Sequence, residues 1–238
     1  MRDKLNTREN YETLIEETSA FIKRDVEEFS EDWTEDRIIS HFSRTFMYSY
    51  QVLISKYSVG LEVSQLLNDY EKSISFMEKG WEAESGYVEM VWMLSIGIML
   101  EVNDENFNKL AELVKRDKLD DFLVNFLIKI RKSDWDFNSK TFRFTKPYKA
   151  IEEVIELSFS NKEEAVKRLK KYLQKEWYSG HRDTGWHNDH KSKWGVHFGY
   201  WSFESGALVK ILGLDDTSLK DVSYYPFDMV HYKNPINI

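Results

Sequence analysis

The 238-residue sequence contains no cysteine. Disulfides, thiolate nucleophiles and cysteine-held metals are therefore excluded. Backbone breakers are scarce as well, with three prolines (Pro147, Pro226, Pro235) and ten glycines. That is too few for the tight turns of a sandwich or barrel, which favours helices. Long hydrophobic runs are missing too. The most apolar run, Val88 to Leu100, has Glu89 inside it and Glu101 just beyond. A membrane span takes about 20 apolar residues, so this run reads as a buried core helix and no membrane association is expected. The first ten residues, MRDKLNTREN, hold no apolar stretch of the kind a signal peptide needs, and the cytoplasm is the expected location. Bases are outnumbered, 33 Lys and Arg against 41 Asp and Glu, for a formal net charge of −8. Direct binding to a phosphate backbone requires clustered bases, so nucleic acid is not an expected partner.

Aromatic residues are plentiful, at 15% of the chain. A disordered chain does not carry that much core-forming material. The expected class is all-α, a multi-helix bundle-like array. Apolar residues at Tyr11, Leu14, Ile15, Phe21, Ile22, Val26 and Phe29 put one stripe on a first helix, with Thr7 as its N-cap. A second helix opens at Thr34 and runs to a break at Gly60. A third is expected from about Leu61 to Met77, followed by a turn between Gly80 and Gly86. Further helices are expected over Tyr87–Val102, from Asn103, over Leu119–Ile130 and over Tyr148–Phe159. Asn161 and Glu164 have the spacing of a capping box, opening a helix to about Tyr178. The last strong helix is expected over Trp194–Leu212, followed by an extended tail at Tyr224–Asp228, because Pro226 disfavours helix at Tyr225. The stretch Arg131–Lys146 loses helical period and reads as a loop or short hairpin arm. It divides an N-terminal helical domain, 1–135, from a C-terminal one, 136–238.

Five of the six histidines (His181, His187, His190, His197, His231) lie late in the chain. With Asp189 they offer imidazole and carboxylate donors of the kind zinc, iron or manganese takes. The spacing matches no compact ligand motif. Glu204 sits among large apolar residues, where a carboxylate is costly unless paired or hydrogen-bonded. It serves either as a general acid or as a buried polar tie. A metal-dependent hydrolase built on His181, His187, Asp189, His190 and Glu204 is thus the alternative to a non-enzymatic protein with no metal or cofactor. The basic run Lys162–Lys175 reads as a solvated helix face. Acids are concentrated earlier: ten between Gly60 and Glu105 against Lys72 and Lys79, and eleven between Arg8 and Arg37 against four bases. Such a field can steer and dock a basic partner.

Trp177-Tyr178, His181 and the run Gly199-Tyr200-Trp201-Ser202-Phe203-Glu204 resemble the C-terminal domain of PoNi-type immunity proteins. Ala207 to Leu212, Asp215-Asp216 and Tyr225-Pro226-Phe227-Asp228 continue the resemblance, which is densest over residues 177–230. The N-terminal half resembles the family's other domain through weaker motifs. The resemblance implies a helical protein without enzymatic activity that neutralises a PoNe-type DNase effector, a toxin delivered between competing bacteria. The motif residues are mostly aromatic and apolar, and so read as determinants of the fold. For the toxin surface the candidates are Asp69, Glu78, Glu82 and Glu84, with Trp81 beside them as an aromatic anchor.

Overall fold

The computed structural model describes residues 1–136 and 138–233; Phe137 and Pro235 lie outside the described residues. It is built of helices, and among the described residues there is no strand. The helices are α1 (Arg8–Glu28), α2 (Glu35–Val59), α3 (Leu67–Gly80), α4 (Tyr87–Leu100), α5 (Asp104–Arg116), α6 (Phe122–Arg131), α7 (Thr145–Ser160), α8 (Lys162–Lys171), α9 (Tyr178–Gly180), α10 (Phe203–Leu212) and α11 (Phe227–Val230). A π-helical stretch, Tyr172–Trp177, joins α8 to α9. Of the expected arm, Arg131–Lys146, residues 132–144 have no regular structure where described, while Arg131 ends α6 and Thr145 and Lys146 fall within α7.

Local chemistry explains many of the boundaries. Thr7 caps α1 by accepting the Asn10 N–H at 3.2 Å. Gly60 ends α2 in the left-handed region at φ 103°, where a side chain is strained. Asp121 caps α6, taking the Val124 N–H at 3.0 Å. Asn161 caps α8 through Glu164 N at 3.2 Å, but only half of the expected box forms. The Asn161 N–H is already held by the Leu157 carbonyl of α7, so the Glu164 carboxylate turns to Lys167 at 2.9 Å.

Three other expectations are corrected. The third helix is preceded by a 3-10 turn, Val63–Leu66, and begins only at Leu67. The helix expected from Trp194 begins at Phe203. Gly195 at φ 66° and Gly199 at φ 120° hold the intervening backbone in conformations a helix cannot contain. The tail after Tyr224 is not extended throughout. Tyr224 takes φ 70°, and Pro226 caps the single turn of α11, a place where the missing proline N–H costs nothing.

The chain divides into two compact units, each drawing on both halves of the sequence. The first comprises Met1–Tyr87, Asn108–Asp117 and Asn188–Tyr200. Here α2 is the central helix, packing against both α1 and α3. Phe42, Phe46, Tyr50 and Leu53 are buried on it as the stripe requires. The stripe on α1 is corrected: Phe21 and Val26 are exposed, and the buried positions are Tyr11, Thr18 and Asp25. A seven-residue spacing keeps these three on one seam. Asp25 is tolerated there because its carboxylate is saturated. Arg44 donates to both oxygens, at 3.0 and 3.2 Å, and Thr45 donates at 3.1 Å. His41 Nε2 donates to the Asp25 carbonyl at 2.8 Å.

The second unit comprises Val88–Phe107, Lys118–His187 and the chain from Trp201. Its core is formed by α4 and α10. Both are apolar nearly all round, and such helices are stable only inside. Met90, Leu94, Ile98, Met99 and Leu100 of α4, and Ala207 and Leu208 of α10, are wholly covered. Gly206 permits their close approach, since a Cβ there would lie 2.6 Å from Met99 Sδ and 2.7 Å from Pro226 Cγ.

Removing the Asp25 carboxylate takes away the acceptor of the Arg44 guanidinium at the α1–α2 seam, while Thr45 keeps the His41 carbonyl at 2.9 Å. Asp25→Ala is expected to cost about 2 kcal/mol in urea unfolding, and Asp25→Asn distinctly less. Equal stability of the alanine variant and the parent would show that the pair does not hold the seam.

Candidate functional site

Several of the motif residues gather around Glu204 in the second unit. Its side chain is 0% exposed. Tyr172 donates its hydroxyl to Glu204 Oε1 at 2.8 Å, and Ser202 donates to the same oxygen at 2.6 Å. The Trp177 indole lies near this carboxylate, but its N–H makes no hydrogen bond and Glu204 Oε2 has no partner. Burial pushes the Glu204 carboxyl above its ordinary range, while the donors pull it back. The π-helical stretch makes this convergence possible. In an α-helix, residues five apart diverge by about 140°. The i to i+5 pairing of a π-helix brings them over one another. Tyr172 and Trp177, five apart at the two ends of that stretch, thereby both lie near one carboxylate.

His181 is the next tie, 2% exposed. Its Nδ1 donates to the Trp177 carbonyl at 2.7 Å, and its Nε2 accepts from the Tyr148 hydroxyl at 2.9 Å. A carbonyl can only accept, so these partners fix the neutral tautomer with the proton on Nδ1. Burial pulls the imidazole pKa down from 6.5 to about 4. Trp177 stacks on Trp186 with ring centroids 5.8 Å apart and packs against Tyr224 at 4.9 Å. Tyr178 stacks on His187 at 4.3 Å. Tyr225 donates to Asp216 at 2.6 Å, and His231 reaches the same carboxylate at 3.0 Å. Trp201 and Pro226 are buried, whereas Asp228 is exposed. Gly199 and Tyr200 lie in the first unit, both buried; Tyr200 meets His190 Nδ1 at 3.0 Å and packs on His197 at 4.3 Å.

Two charged groups in the core escaped the sequence reading. Lys210 is 1% exposed, and its ammonium donates to the Met99 carbonyl at 2.9 Å and meets Glu101 at 2.8 Å. It thus places a cation on the carbonyl end of α4, where the helix dipole is negative. A lysine inside an apolar run was the only available signal. His197 and Asp3, both buried in the first unit, form the other pair at 2.8 Å. Burial works to raise the Asp3 carboxyl, but His197 and the Leu5 N–H outweigh it and hold it below its ordinary range.

The proposed metal ligands do not assemble as a set. His181 and Glu204 are committed to the hydrogen bonds above, and His190 to Tyr200. Among the described residues no three His, Asp or Glu side chains are placed to hold a metal ion. The basic run is largely paired: Arg168 with Glu176 at 3.0 Å, Lys167 with Glu163 at 3.0 Å, and Lys170 with the Ser218 carbonyl at 3.1 Å.

The acids chosen for the toxin surface separate in character. Asp69 is half-buried and held by Lys56 at 2.8 Å. Glu78 pairs with Lys109 at 3.5 Å. Glu82 and Glu84 are exposed. Trp81 is only 3% exposed, and its indole N–H donates to the Gly86 carbonyl at 2.8 Å. It braces the turn from beneath. Asp117 secures the same turn by accepting the Ala83 N–H at 2.8 Å.

These features define a helical protein whose most telling residues serve packing rather than catalysis. The chain belongs to the PoNe immunity protein (PoNi) family, its N-terminal model matching residues 2–112 and its C-terminal model residues 119–229. It is an immunity protein and not an enzyme. Among solved structures it is similar to protein PA2201 from Pseudomonas aeruginosa, at 16% identity and a TM-score of 0.69, over 94% of this chain and 87% of that one. That likeness shows the fold. No curated protein matches the sequence. Among the described residues no helix is long and apolar enough to cross a membrane.

The buried, neutral His181 makes a pH prediction. The unfolded chain binds a proton near pH 6.5, but the folded chain only near pH 4. The stability that His181 contributes is therefore complete above pH 6.5 and lost as pH falls through that window, by up to about 3 kcal/mol. His181→Gln is expected to flatten this part of the urea-derived stability profile. An unchanged slope would assign the acid sensitivity to other groups.

Proposed function

We propose that this immunity protein binds a cognate DNase toxin domain in the cytoplasm and inactivates it by covering its DNA-binding surface. A DNase has to attract a polyanion, so the surface that grips DNA is basic. An acidic helical protein is its natural complement. The observation that carries the reading is the turn between α3 and α4. Glu82 and Glu84 point outward from it, with Glu78 on the last turn of α3, while Trp81 and Asp117 hold its backbone. Charges on a braced turn lose little conformational freedom on binding. Trp81 contributes from within, and Asp69 through its pair with Lys56. The motif residues keep the fold and leave the outer surface to recognition.

Co-expression with the DNase domain encoded beside this chain is expected to restore growth and to yield a co-purifying pair. The doubly reversed variant Glu82→Lys/Glu84→Lys is expected to slow association about tenfold at low ionic strength, with the difference shrinking in high salt. Stopped-flow mixing measures it. Identical association rates at low salt would remove this turn from the interface.

A further inference from the structure

Exposed apolar side chains mostly stand alone, as Phe159 does, and then need no explanation. Three exposed apolar side chains of the first unit lie on two segments that are hydrogen-bonded to each other. Trp194 is 77% exposed, Leu5 45% and Val196 40%. The two segments that carry them are joined: the Asn6 amide donates to the His197 carbonyl at 3.1 Å, and Asn10, which donates to Asn6 at 2.8 Å, lies 3.7 Å from the Cβ position of Gly195.

The backbone beneath Trp194 is ordered. Lys191 N donates to Asn188 O at 2.8 Å, Ser192 N to Asp189 O at 2.9 Å, and Trp194 N to Ser192 Oγ at 3.2 Å. Gly195 then turns the chain at φ 66°. The indole is thus held out into solvent on a fixed loop. Its charge setting is the reverse of the protein's. Lys4, Lys191 and Lys193 are exposed around it, with Lys193 Nζ 4.8 Å from the centre of the Trp194 ring. Of the acids on these segments, Asp3 is buried on His197 and Asp189 is half-buried, while Glu9, next to Asn10, is exposed.

We propose that Trp194 anchors the toxin, entering an apolar pocket whose acidic rim meets Lys191 and Lys193. This inference rests on the toxin-binding reading above and adds a second contact of opposite sign on the same compact unit. Acids at the 82–84 turn and bases around Trp194 together specify one orientation, because a reversed partner would meet like charge at both places. A rigidly presented aromatic supplies the contact area at small entropic cost.

The test is surface-bound kinetics against a nuclease-inactive form of the neighbouring DNase domain. Trp194→Ala is expected to raise Kd at least about 30-fold, mainly through faster dissociation. Trp194→Phe should recover most of the affinity, and Lys191→Glu/Lys193→Glu should weaken binding. Because the side chain is exposed, the melting temperature of Trp194→Ala should match that of the parent. Full affinity of Trp194→Ala overturns the proposal while leaving the toxin reading standing. A dimer of the free protein that Trp194→Ala dissolves, or Trp194-dependent binding to phosphatidylglycerol vesicles, assigns the indole another occupant and also overturns it. If the unaltered protein fails to bind the DNase domain, the toxin reading falls and this inference falls with it.

Discussion

The second unit depends on a buried carboxylate that has to be satisfied without a cation. Glu204 lies wholly inside, in the first turn of a helix whose residues up to Ile211 are all buried. Two hydroxyls donate to it and an indole lies near it. Either hydroxyl left without its acceptor would cost on the order of 1–3 kcal/mol. Satisfying them together constrains a whole chain segment. It demands the π-helical stretch that turns Tyr172 and Trp177 the same way, and it fixes the carbonyl of Trp177 where His181 can meet it. His181 in turn orients the Tyr148 hydroxyl of α7. A polar chain thus runs from α10 through the π-helical stretch to α7, and the aromatic stack of Trp177, Trp186 and Tyr224 fills the space around it. Networks of this kind reject alternative packings, because every member must be satisfied at once.

The first unit solves the same problem with an ion pair and a histidine hydrogen bond. Asp25 takes Arg44 and Thr45, and Asp3 takes His197. These pairings decide which charges remain for the surface. A tally of acids along the sequence overstates the field open to a partner. Asp25 and Asp3 are internal, Asp69 is neutralised by Lys56, and Glu78 is shared with Lys109. What matters for steering is how many charges stay exposed and how rigidly they are held; Glu82 and Glu84 are exposed on a turn whose backbone Trp81 and Asp117 hold.

Much of this was legible in the sequence wherever local chemistry decided the outcome. The caps at Thr7 and Asn161, the stop at Gly60 and the burial of α4 needed only short-range rules. The failures share a cause. Trp194 to Leu212 reads as one helix because aromatic and apolar residues recur at helical spacing throughout. The glycines at 195 and 199 take left-handed conformations only in response to tertiary packing. Trp81, which sits among acids in a turn, is buried, with its indole N–H donating to the Gly86 carbonyl. Trp194, read as helix, stands in solvent. Apolar spacing alone does not separate helix from irregular backbone, and the burial of an aromatic depends on what packs against it. The seam of α1 shows the same limit, since the buried Asp25 is explained only by Arg44, nineteen residues away.

The division between inside and outside bears on how an immunity protein changes target without losing its fold. Trp177, His181, Trp201, Glu204 and Tyr225 are all buried, and replacing any one would disturb several partners at once. Glu82, Glu84 and Trp194 are exposed, and most substitutions at such sites cost the fold little. Discrimination between toxins is a difference between binding free energies, and repulsion from the wrong partner can set it as much as attraction to the right one. A scaffold whose constraints are internal leaves its outer charges and aromatics free to be exchanged. A sign change at one exposed residue touches none of the hydrogen bonds of the polar chain around Glu204.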